Sequence, residues 1–218
     1  MRGSIHRQLN RYVLVALVSL LVLAQPSLAK IVYTPVNVTL SGNGSIAIPQ
    51  NGGTTQFTIK EVTQSGQCFD GSYFEATVSV SPRAGGNGVV GNGTLGDAFA
   101  LSLGTPIGPG QSFDQVALTM AYEYDGYTDG RCGAVYYGDW CDDNSGAACD
   151  SVDAYLGLEI EYRGSIYYGW AQATVSPIYG RDSFEFSVQL TGYAYETIPG
   201  QSINAGQTSD DPDDSSFR

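Results

Sequence analysis

The chain has 218 residues, a length that fits one domain with a sizeable core. It carries 22 acidic residues against 10 basic ones, and the net charge of −12 disfavours nucleic acid, whose phosphates require clustered Lys and Arg. The same charge disfavours anionic membrane surfaces and favours solubility or cation binding.

The first 29 residues have the organisation of a secretory signal peptide. Arginines at positions 2, 7 and 11 precede an apolar run over residues 12–24, and small residues surround the end of the segment at Ser27-Leu28-Ala29. The run is short for a membrane span of about 20 residues, and the helix-breaking Pro26 follows it. The alternative is an uncleaved membrane anchor. We expect cleavage after Ala29 and release of a secreted protein, extracellular or periplasmic, with no membrane span in the mature chain.

Cleavage would remove the only histidine of the chain, His6. A protein without imidazole has no Ser-His-Asp or Cys-His hydrolytic centre, no histidine-ligated zinc or copper and no histidine-bound haem. Three of the 10 basic residues would also be lost, which leaves 7 against 22 acidic residues and a net charge of −15. Carboxylate, tyrosine or metal-assisted chemistry remains, so we expect a protein that is not an enzyme.

Apolar and polar residues alternate with a period of two beyond Lys30, and no segment there has helical periodicity. Strands are predicted at residues 31–40, 45–48, 56–61, 73–80, 98–103, 116–123, 134–139, 155–162, 166–175 and 184–195. The side chains expected to face the core of the two clearest strands are Phe74, Ala76, Val78 and Val80, and Val116, Leu118, Met120 and Tyr122. The sequence therefore predicts a single-domain, all-β antiparallel β-sandwich of about ten strands over residues 30–208, jelly-roll-like or immunoglobulin-like.

Two segments are predicted to lie outside the strands. The glycine-rich segment 85–93 has no GxGxxG pattern and no Lys-Ser/Thr ending, so we expect a flexible loop rather than a phosphate cradle. The acidic tail 209–218 has little to bury and is predicted to be disordered.

A hairpin is predicted in which the strand 155–162 returns through 166–175. Its turn is expected at Arg163-Gly164 or Gly164-Ser165. Leu156, Leu158 and Ile160 would then face the core.

Four cysteines lie beyond the predicted cleavage point: Cys68, Cys132, Cys141 and Cys149. An even number in an exported chain predicts two disulfide bonds. Three connectivities are open, and the favoured one joins Cys141 to Cys149 as a local staple and Cys68 to Cys132 across a long loop, the latter worth about 4 kcal/mol. The alternative is a zinc site, although the usual CxxC spacing is absent.

Glu159 and Glu161 are the candidate catalytic pair. They project from one face of a predicted strand, about 7 Å apart by strand rise, a separation that glycoside hydrolysis by two carboxylates can use. The alternative is that the pair is the solvated face of the strand, opposite Leu158 and Ile160.

The segment 122–153 combines aspartates with three cysteines and several glycines. Its carboxylate and carbonyl oxygens could hold Ca²⁺, and the candidate ligands are Asp125, Asp129, Asp139, Asp142 and Asp143. No subset follows the DxDxDG spacing of a calcium loop, so the alternative is a solvated loop closed by a disulfide. No other cofactor is predicted.

Tyr136, Tyr137 and Trp140 lie within this acidic segment, which suggests that they are more exposed than core aromatic residues. Aromatic faces beside carboxylates are one way in which β-sandwich proteins bind sugars. We therefore treat the three as candidate ligand-binding residues, with ordinary packing as the alternative.

Four motifs in the C-terminal part resemble a family of bacterial secreted proteins that are mostly uncharacterised. They are Tyr155-Leu156-Gly157-Leu158, Tyr168-Gly169-Trp170-Ala171, the segment 192–200 and the segment 203–208, with a weaker echo over 31–38. Some members carry a C-terminal sorting signal of the PEP-CTERM type. No such signal follows Thr208, so the resemblance implies release from the cell.

Similar proteins often have a calcium-like loop of the type DxNxDGxxDF after the first strand. The aligned stretch 48–57 keeps Gly53 and Phe57 but has no carboxylates. A hard cation would lose its charged ligands there, so we expect no calcium site at this position.

The expected function is a secreted, non-catalytic extracellular or cell-surface module, structural or weakly glycan-binding, with glycans or other surface proteins as partners. A carboxylate-dependent glycan hydrolase or lyase using Glu159 and Glu161 is one alternative. A calcium-stabilised structural protein is the other.

Overall fold

A computed structural model describes residues 30–41, 44–50, 54–68, 71–83, 85–126, 135–141, 149–180 and 183–210. Of residues 41, 44–50, 54–56, 68 and 125–126 it describes the backbone only. The predicted signal peptide and the predicted bond between Cys68 and Cys132 lie outside the described parts.

Strands make up most of the described residues. They are β1 (Ile31–Ser41), β2 (Gly44–Gln50), β3 (Thr54–Cys68), β4 (Gly71–Pro82), β5 (Gly88–Asn92), β6 (Asp97–Ala98), β7 (Pro106–Ile107), β8 (Phe113–Asp114), β9 (Leu118–Gly126), β10 (Val135–Tyr137), β11 (Val152–Tyr162), β12 (Ser165–Tyr179), β13 (Phe184–Glu196) and β14 (Ile203–Asn204). The described residues contain no helix, and therefore none that could cross a bilayer. The predicted all-β class is confirmed.

Twelve of the strands form one continuous sheet. Its order is β1-β13-β12-β11-β5-β6-β9-β4-β3-β2, with β10 paired to β9 and β8 paired to β5, while β7 and β14 form a small second sheet. The sheet is mixed rather than fully antiparallel as predicted, because β6 and β9 run parallel where Asp97 meets Thr119. It curves back on itself until it nearly closes into a barrel.

The main core lies inside this curve, where the two halves of the sheet face each other. Ile59 and Val78 from one half and Leu158 and Val188 from the other belong to the same apolar cluster and are fully buried. Burial of apolar surface of this kind is the dominant favourable contribution to folding.

The alternation predicted for residues 73–80 is confirmed in β4, where Ala76, Val78 and Val80 are buried and their neighbours are partly exposed. The alternation predicted for residues 116–123 is confirmed only for the central residues of this segment. Val116 is exposed and precedes the strand, while Leu118 and Met120 are buried. A β-bulge then shifts the pairing of β9 with β4 by one residue, at the point where β4 passes from Ser79 to Val78.

The bulge reverses the orientation of every later side chain in β9, because side chains alternate between the faces of a strand. Glu123, predicted on the polar face, is 3% exposed, and Tyr122, predicted in the core, lies on the outer face. This outward turn places Tyr122 on the outer side of the sheet.

The hairpin of β11 and β12 is confirmed, with Tyr162 paired to Ser165 across the turn Arg163-Gly164. Both turn residues have positive φ, 53° and 76°, as a two-residue type I′ turn requires. Leu156, Leu158 and Ile160 face the core as predicted.

The prediction of a flexible loop over residues 85–93 is wrong for its second half. Gly88–Asn92 forms β5, which pairs with β11 through Val89 and with β6 through Gly91. The glycines are accommodated because this strand connects the two halves of the sheet and is almost wholly buried.

A second apolar cluster covers the outer face of β12 and β13. Its buried members are Ile31, Ile107, Tyr168, Trp170, Ala194, Ile203 and Ala205. The chain after β13 crosses this face, where the Trp170 indole Nε1 donates a hydrogen bond of 3.0 Å to the Gln207 carbonyl. Many of the residues that carry the family resemblance therefore build this second core.

The beginning of the predicted tail also contacts the domain. The Asp210 carboxylate accepts a hydrogen bond of 3.2 Å from the Ile31 amide, and the Ser209 carbonyl accepts one of 3.0 Å from the Gln207 side chain. Ser209 and Asp210 are thus held against the domain rather than disordered, and residues 211–218 lie outside the described residues.

Candidate functional site

The outer face of β4, β9 and β10 carries a row of tyrosines. Residues directly opposite each other in antiparallel strands share a face, and the register places Tyr137 beside Tyr122 and Glu75 beside Tyr124. We call Tyr73, Tyr122, Tyr124 and Tyr137 the tyrosine strip.

The rings of the strip are stacked in pairs. The ring centroids of Tyr122 and Tyr137 are 4.5 Å apart with the planes at 25°, and those of Tyr73 and Tyr124 are 5.2 Å apart at 30°. The two pairs are joined through β9, where Tyr122 and Tyr124 are two residues, or about 7 Å, apart. From Tyr73 to Tyr137 the strip runs diagonally over three strands for about 16 Å.

Glu75 lies in the middle of the strip. Its carboxylate lies close to the Tyr122 hydroxyl. Burial and then the charge of Glu75 raise the pKa of Tyr122 to about 12. Burial, followed by the charges of Asp97 and Glu75, also raises the pKa of Tyr137. Tyr122 and Tyr137 therefore remain neutral hydroxyl donors and acceptors at neutral pH.

Asp97 and Asp139 lie at the β10 end of the strip. Burial, and then the nearby charge of Asp139, raises the pKa of Asp97. Asp97 Oδ1 is buried without a hydrogen-bond partner in the described part of the protein. A buried acceptor without a partner costs free energy.

An open cleft of about 460 Å³ adjoins this end of the strip. Asp139 and Asp153 provide carboxylates to its wall, and the remaining lining is Ala100, Leu101, Ser102, Gly138, Cys141, Val152 and Ala154. Asp153 accepts a hydrogen bond of 3.3 Å from Gln172. Asp139 lines the cleft, and its charge acts on Asp97, so the cleft lies next to the β10 end of the strip. The cleft volume is in the range of small-ligand sites.

The turn that forms the wall of the cleft is held by a disulfide bond. Cys141 and Cys149 are joined, as predicted, across a Cα–Cα distance of 4.7 Å. The Cys149 amide donates a hydrogen bond of 3.3 Å to the buried Glu123 carboxylate, which also accepts one of 3.1 Å from the Tyr179 hydroxyl. The outward turn of the tyrosines and the inward turn of Glu123 have the same cause, the bulge in β9.

Trp140 does not belong to the surface, so the prediction that it is exposed is wrong. It is 0% exposed and packs in the main core. Gly138 has φ of 103° and lies so close to the Met120 carbonyl that a Cβ would collide with it. The same carbonyl accepts a hydrogen bond of 3.1 Å from the Trp140 amide. The chain therefore folds back under the sheet directly after Tyr137 and carries the indole inward.

Of the three predicted aromatic ligand residues, only Tyr137 lies on the outer surface. Tyr136 pairs with Glu123 on the inner face and packs against the main core. Tyr137 is 47% exposed. Sequence analysis did not single out Tyr73, and it missed Tyr122 and Tyr124 because strict alternation places both inside and no feature of the sequence reveals the bulge.

Glu159 and Glu161 share a face of β11, as predicted, but neither lines the cleft. Glu159 lies beside Tyr168, and burial raises the pKa of its carboxyl. The Glu161 side chain lies against the turn at Gly86, and its amide donates a hydrogen bond of 3.0 Å to Asn87. Both glutamates therefore contact other parts of the fold rather than the cleft.

Glu159→Gln is expected to stabilise the protein at neutral pH. Because the folded state raises the pKa of this carboxyl, it binds the proton more tightly than the unfolded state does, and stability falls as the pH rises through the interval between the two pKa values. Urea unfolding at about pH 7 should therefore show the variant to be the more stable protein, and the gain should disappear near pH 3, where both states are protonated. Glu185→Gln, which removes a charge elsewhere, is the control. A variant less stable than wild type at pH 7 would mean that the ionised carboxylate makes a contact that the fold requires.

Most of the predicted calcium ligands cannot be placed. Asp129, Asp142, Asp143 and the side chain of Asp125 lie outside the described residues, and Asp139 is an exposed side chain of the cleft wall. Among the described side chains, no three His, Cys, Asp or Glu residues are grouped in a way that could hold a metal ion. Calcium binding in this segment stays a prediction.

Comparison of the chain with protein-family models, with curated proteins and with solved structures gives no match.

Proposed function

We propose that the protein is a non-catalytic glycan-binding module that acts outside the cytoplasm, and that the tyrosine strip and the adjoining cleft are its binding surface. The observation that carries the proposal is the row of four tyrosines on one sheet face, with Glu75 between them and Asp139 at their end. The disulfide between Cys141 and Cys149 supports an oxidising compartment. The two halves of the sheet facing each other across one core support the β-sandwich class.

The chemistry of a sugar fits such a surface. Tyrosine offers an apolar ring body and a polar hydroxyl, so it can contact the C–H groups of a sugar and hydrogen-bond its hydroxyls. Because each stacked ring covers one face of its neighbour, the surface offered to a ligand consists of ring edges, hydroxyls and the most exposed ring, Tyr137. Carboxylates accept hydrogen bonds from further sugar hydroxyls. The strip is extended, which favours a chain of sugar rings over a single sugar.

Binding to insoluble cellulose, chitin, chitosan and xylan tests the proposal. We expect the protein to be retained on at least one of them, and Tyr137→Ala to weaken retention by about three- to tenfold, the effect of one lost aromatic contact. Tyr33→Ala is the matched control, since Tyr33 is similarly exposed at 41% and also contacts an aromatic ring, but belongs to β1. We also expect no release of reducing sugar. Failure to bind any of the four, or equal loss of binding in both variants, would contradict the proposal.

A further inference from the structure

The binding surface is strongly acidic. Glu75 lies within the strip, Asp97 and Asp139 lie at its end, and Asp153 lies across the cleft. Among the strands that form the strip and their neighbour β3, the only basic residue is Lys60. It pairs with Ser79, four residues along β4 from Glu75, or about 13 Å away. Among the described residues, therefore, no Lys or Arg lies next to the carboxylates of the strip.

An acidic surface of this kind discriminates among glycans. Uronic-acid and sulfated polysaccharides carry negative charges that the carboxylates would repel, and placing like charges together costs affinity. A neutral glycan would leave the charges unpaired. A polymer with ammonium groups would pair with them, because charge-assisted hydrogen bonds between ammonium and carboxylate are among the stronger polar contacts.

The tyrosines favour the same ligand. A cation over the face of an aromatic ring is attracted by the ring quadrupole, and Tyr137 combines the largest exposed ring area of the strip with nearby carboxylates. The two stacked pairs also place sugar-contacting rings at intervals along the strip. Aromatic and anionic groups thus alternate along one surface.

We propose that the preferred ligand is a linear polysaccharide of amino sugars with free amines, with sugar rings packed on the tyrosine strip and ammonium groups paired with Glu75 and Asp139. The proposal rests on the proposed glycan-binding function and names its ligand class.

The test is isothermal titration calorimetry of the protein at low salt. The pH is about 6, which is above the ordinary carboxyl pKa of about 4. The sugar ligands are three hexasaccharides: one of glucosamine, one of N-acetylglucosamine, and one of glucose linked as in cellobiose. Hexalysine is the control polycation that contains no sugar. We expect glucosamine hexasaccharide to bind about tenfold more tightly than the two neutral hexasaccharides and than hexalysine. Physiological salt should reduce this preference, since exposed charge pairs are screened.

Variants that remove negative charges test whether the carboxylates of the binding surface cause the preference for the amino sugar. Glu75→Gln combined with Asp139→Asn should reduce the preference to about threefold or less, because the amino sugar loses more affinity than the neutral sugars do. Glu185→Gln, on β13, should leave it unchanged. Equal affinity for the neutral and amino sugars, with dependence on Tyr137, would overturn the inference and leave the glycan-binding function intact. Binding of hexalysine as tight as that of the amino sugar would also overturn it. Absence of binding by all three sugars would overturn the function itself.

Discussion

Trp140→Ala is expected to lower the free energy of unfolding by about 3 to 5 kcal/mol, the usual cost of removing a fully buried tryptophan. The indole is 0% exposed and belongs to the main core, so its loss leaves a cavity that the surrounding sheet cannot close. Trp140→Phe should cost less, because Trp140 Nε1 is buried without a partner in the described residues and phenylalanine removes that donor.

Urea unfolding followed by fluorescence measures this effect directly, since the chain has only two tryptophans and Trp170 remains as the reporter. Tyr137→Ala, three residues away on the exposed side of the same turn, is the matched control and should cost less than about 1 kcal/mol. If Trp140→Ala lowered the free energy of unfolding by as little, the indole would lie outside the core and would again be a candidate ligand-binding residue.

Trp170→Ala is expected to cost about 3 to 5 kcal/mol as well, for a different reason. Trp170 lies at the centre of the second core, with Tyr33 and Tyr155 against its ring at 5.7 Å and 5.3 Å. It also holds the C-terminal segment through its hydrogen bond to the Gln207 carbonyl. Removing it should release that segment from the face of β12 and β13.

Limited proteolysis and unfolding together distinguish this local effect from a general loss of stability. In Trp170→Ala the chain after β13 should be cleaved faster than in wild type, whereas in Trp140→Ala it should be cleaved no earlier than the rest of the domain. Trp170→Phe keeps most of the packing and loses the hydrogen bond, worth about 1 kcal/mol. Unchanged proteolysis in Trp170→Ala would show that the second core does not anchor the C-terminal segment.

The parts of the fold that local patterns determine could be predicted. The alternation of β4, the hairpin at Arg163-Gly164 and the staple between Cys141 and Cys149 depend on neighbours in sequence, and all three are confirmed. The strand at Gly88–Asn92 could not be predicted, because glycines disfavour strands and are accepted here only where β5 is buried between the two halves of the sheet.

The candidate site was predicted less well than the fold. The acidic, aromatic segment after residue 122 contributes to the candidate surface, but only Tyr137 and Asp139 of the predicted residues belong to it. Tyr122 and Tyr124 were not predicted because their orientation depends on a single bulge, which turns them outward and Glu123 inward. A one-residue change of register reverses every subsequent side chain, and tertiary packing rather than local sequence decides where it occurs.

The family resemblance has a physical counterpart in the second core. Trp170 and Ala205 are buried in this cluster, and Tyr155 packs against it. Ile31, from the N-terminal segment with the weaker resemblance, is buried in it as well. Residues that secure a sheet face can recur among proteins with different ligands. The tyrosine strip lies on the other half of the sheet and shares none of the resembling motifs.

Nuclear magnetic resonance of the protein with labelled tyrosine rings, titrated with glucosamine hexasaccharide, tests the proposed binding surface most directly. We expect the ring signals of Tyr73, Tyr122, Tyr124 and Tyr137 to shift together with one binding constant, while that of Tyr33 on the second core does not shift. Shifts confined to the second core, or no shift of any ring when calorimetry shows the sugar to be bound, would contradict it.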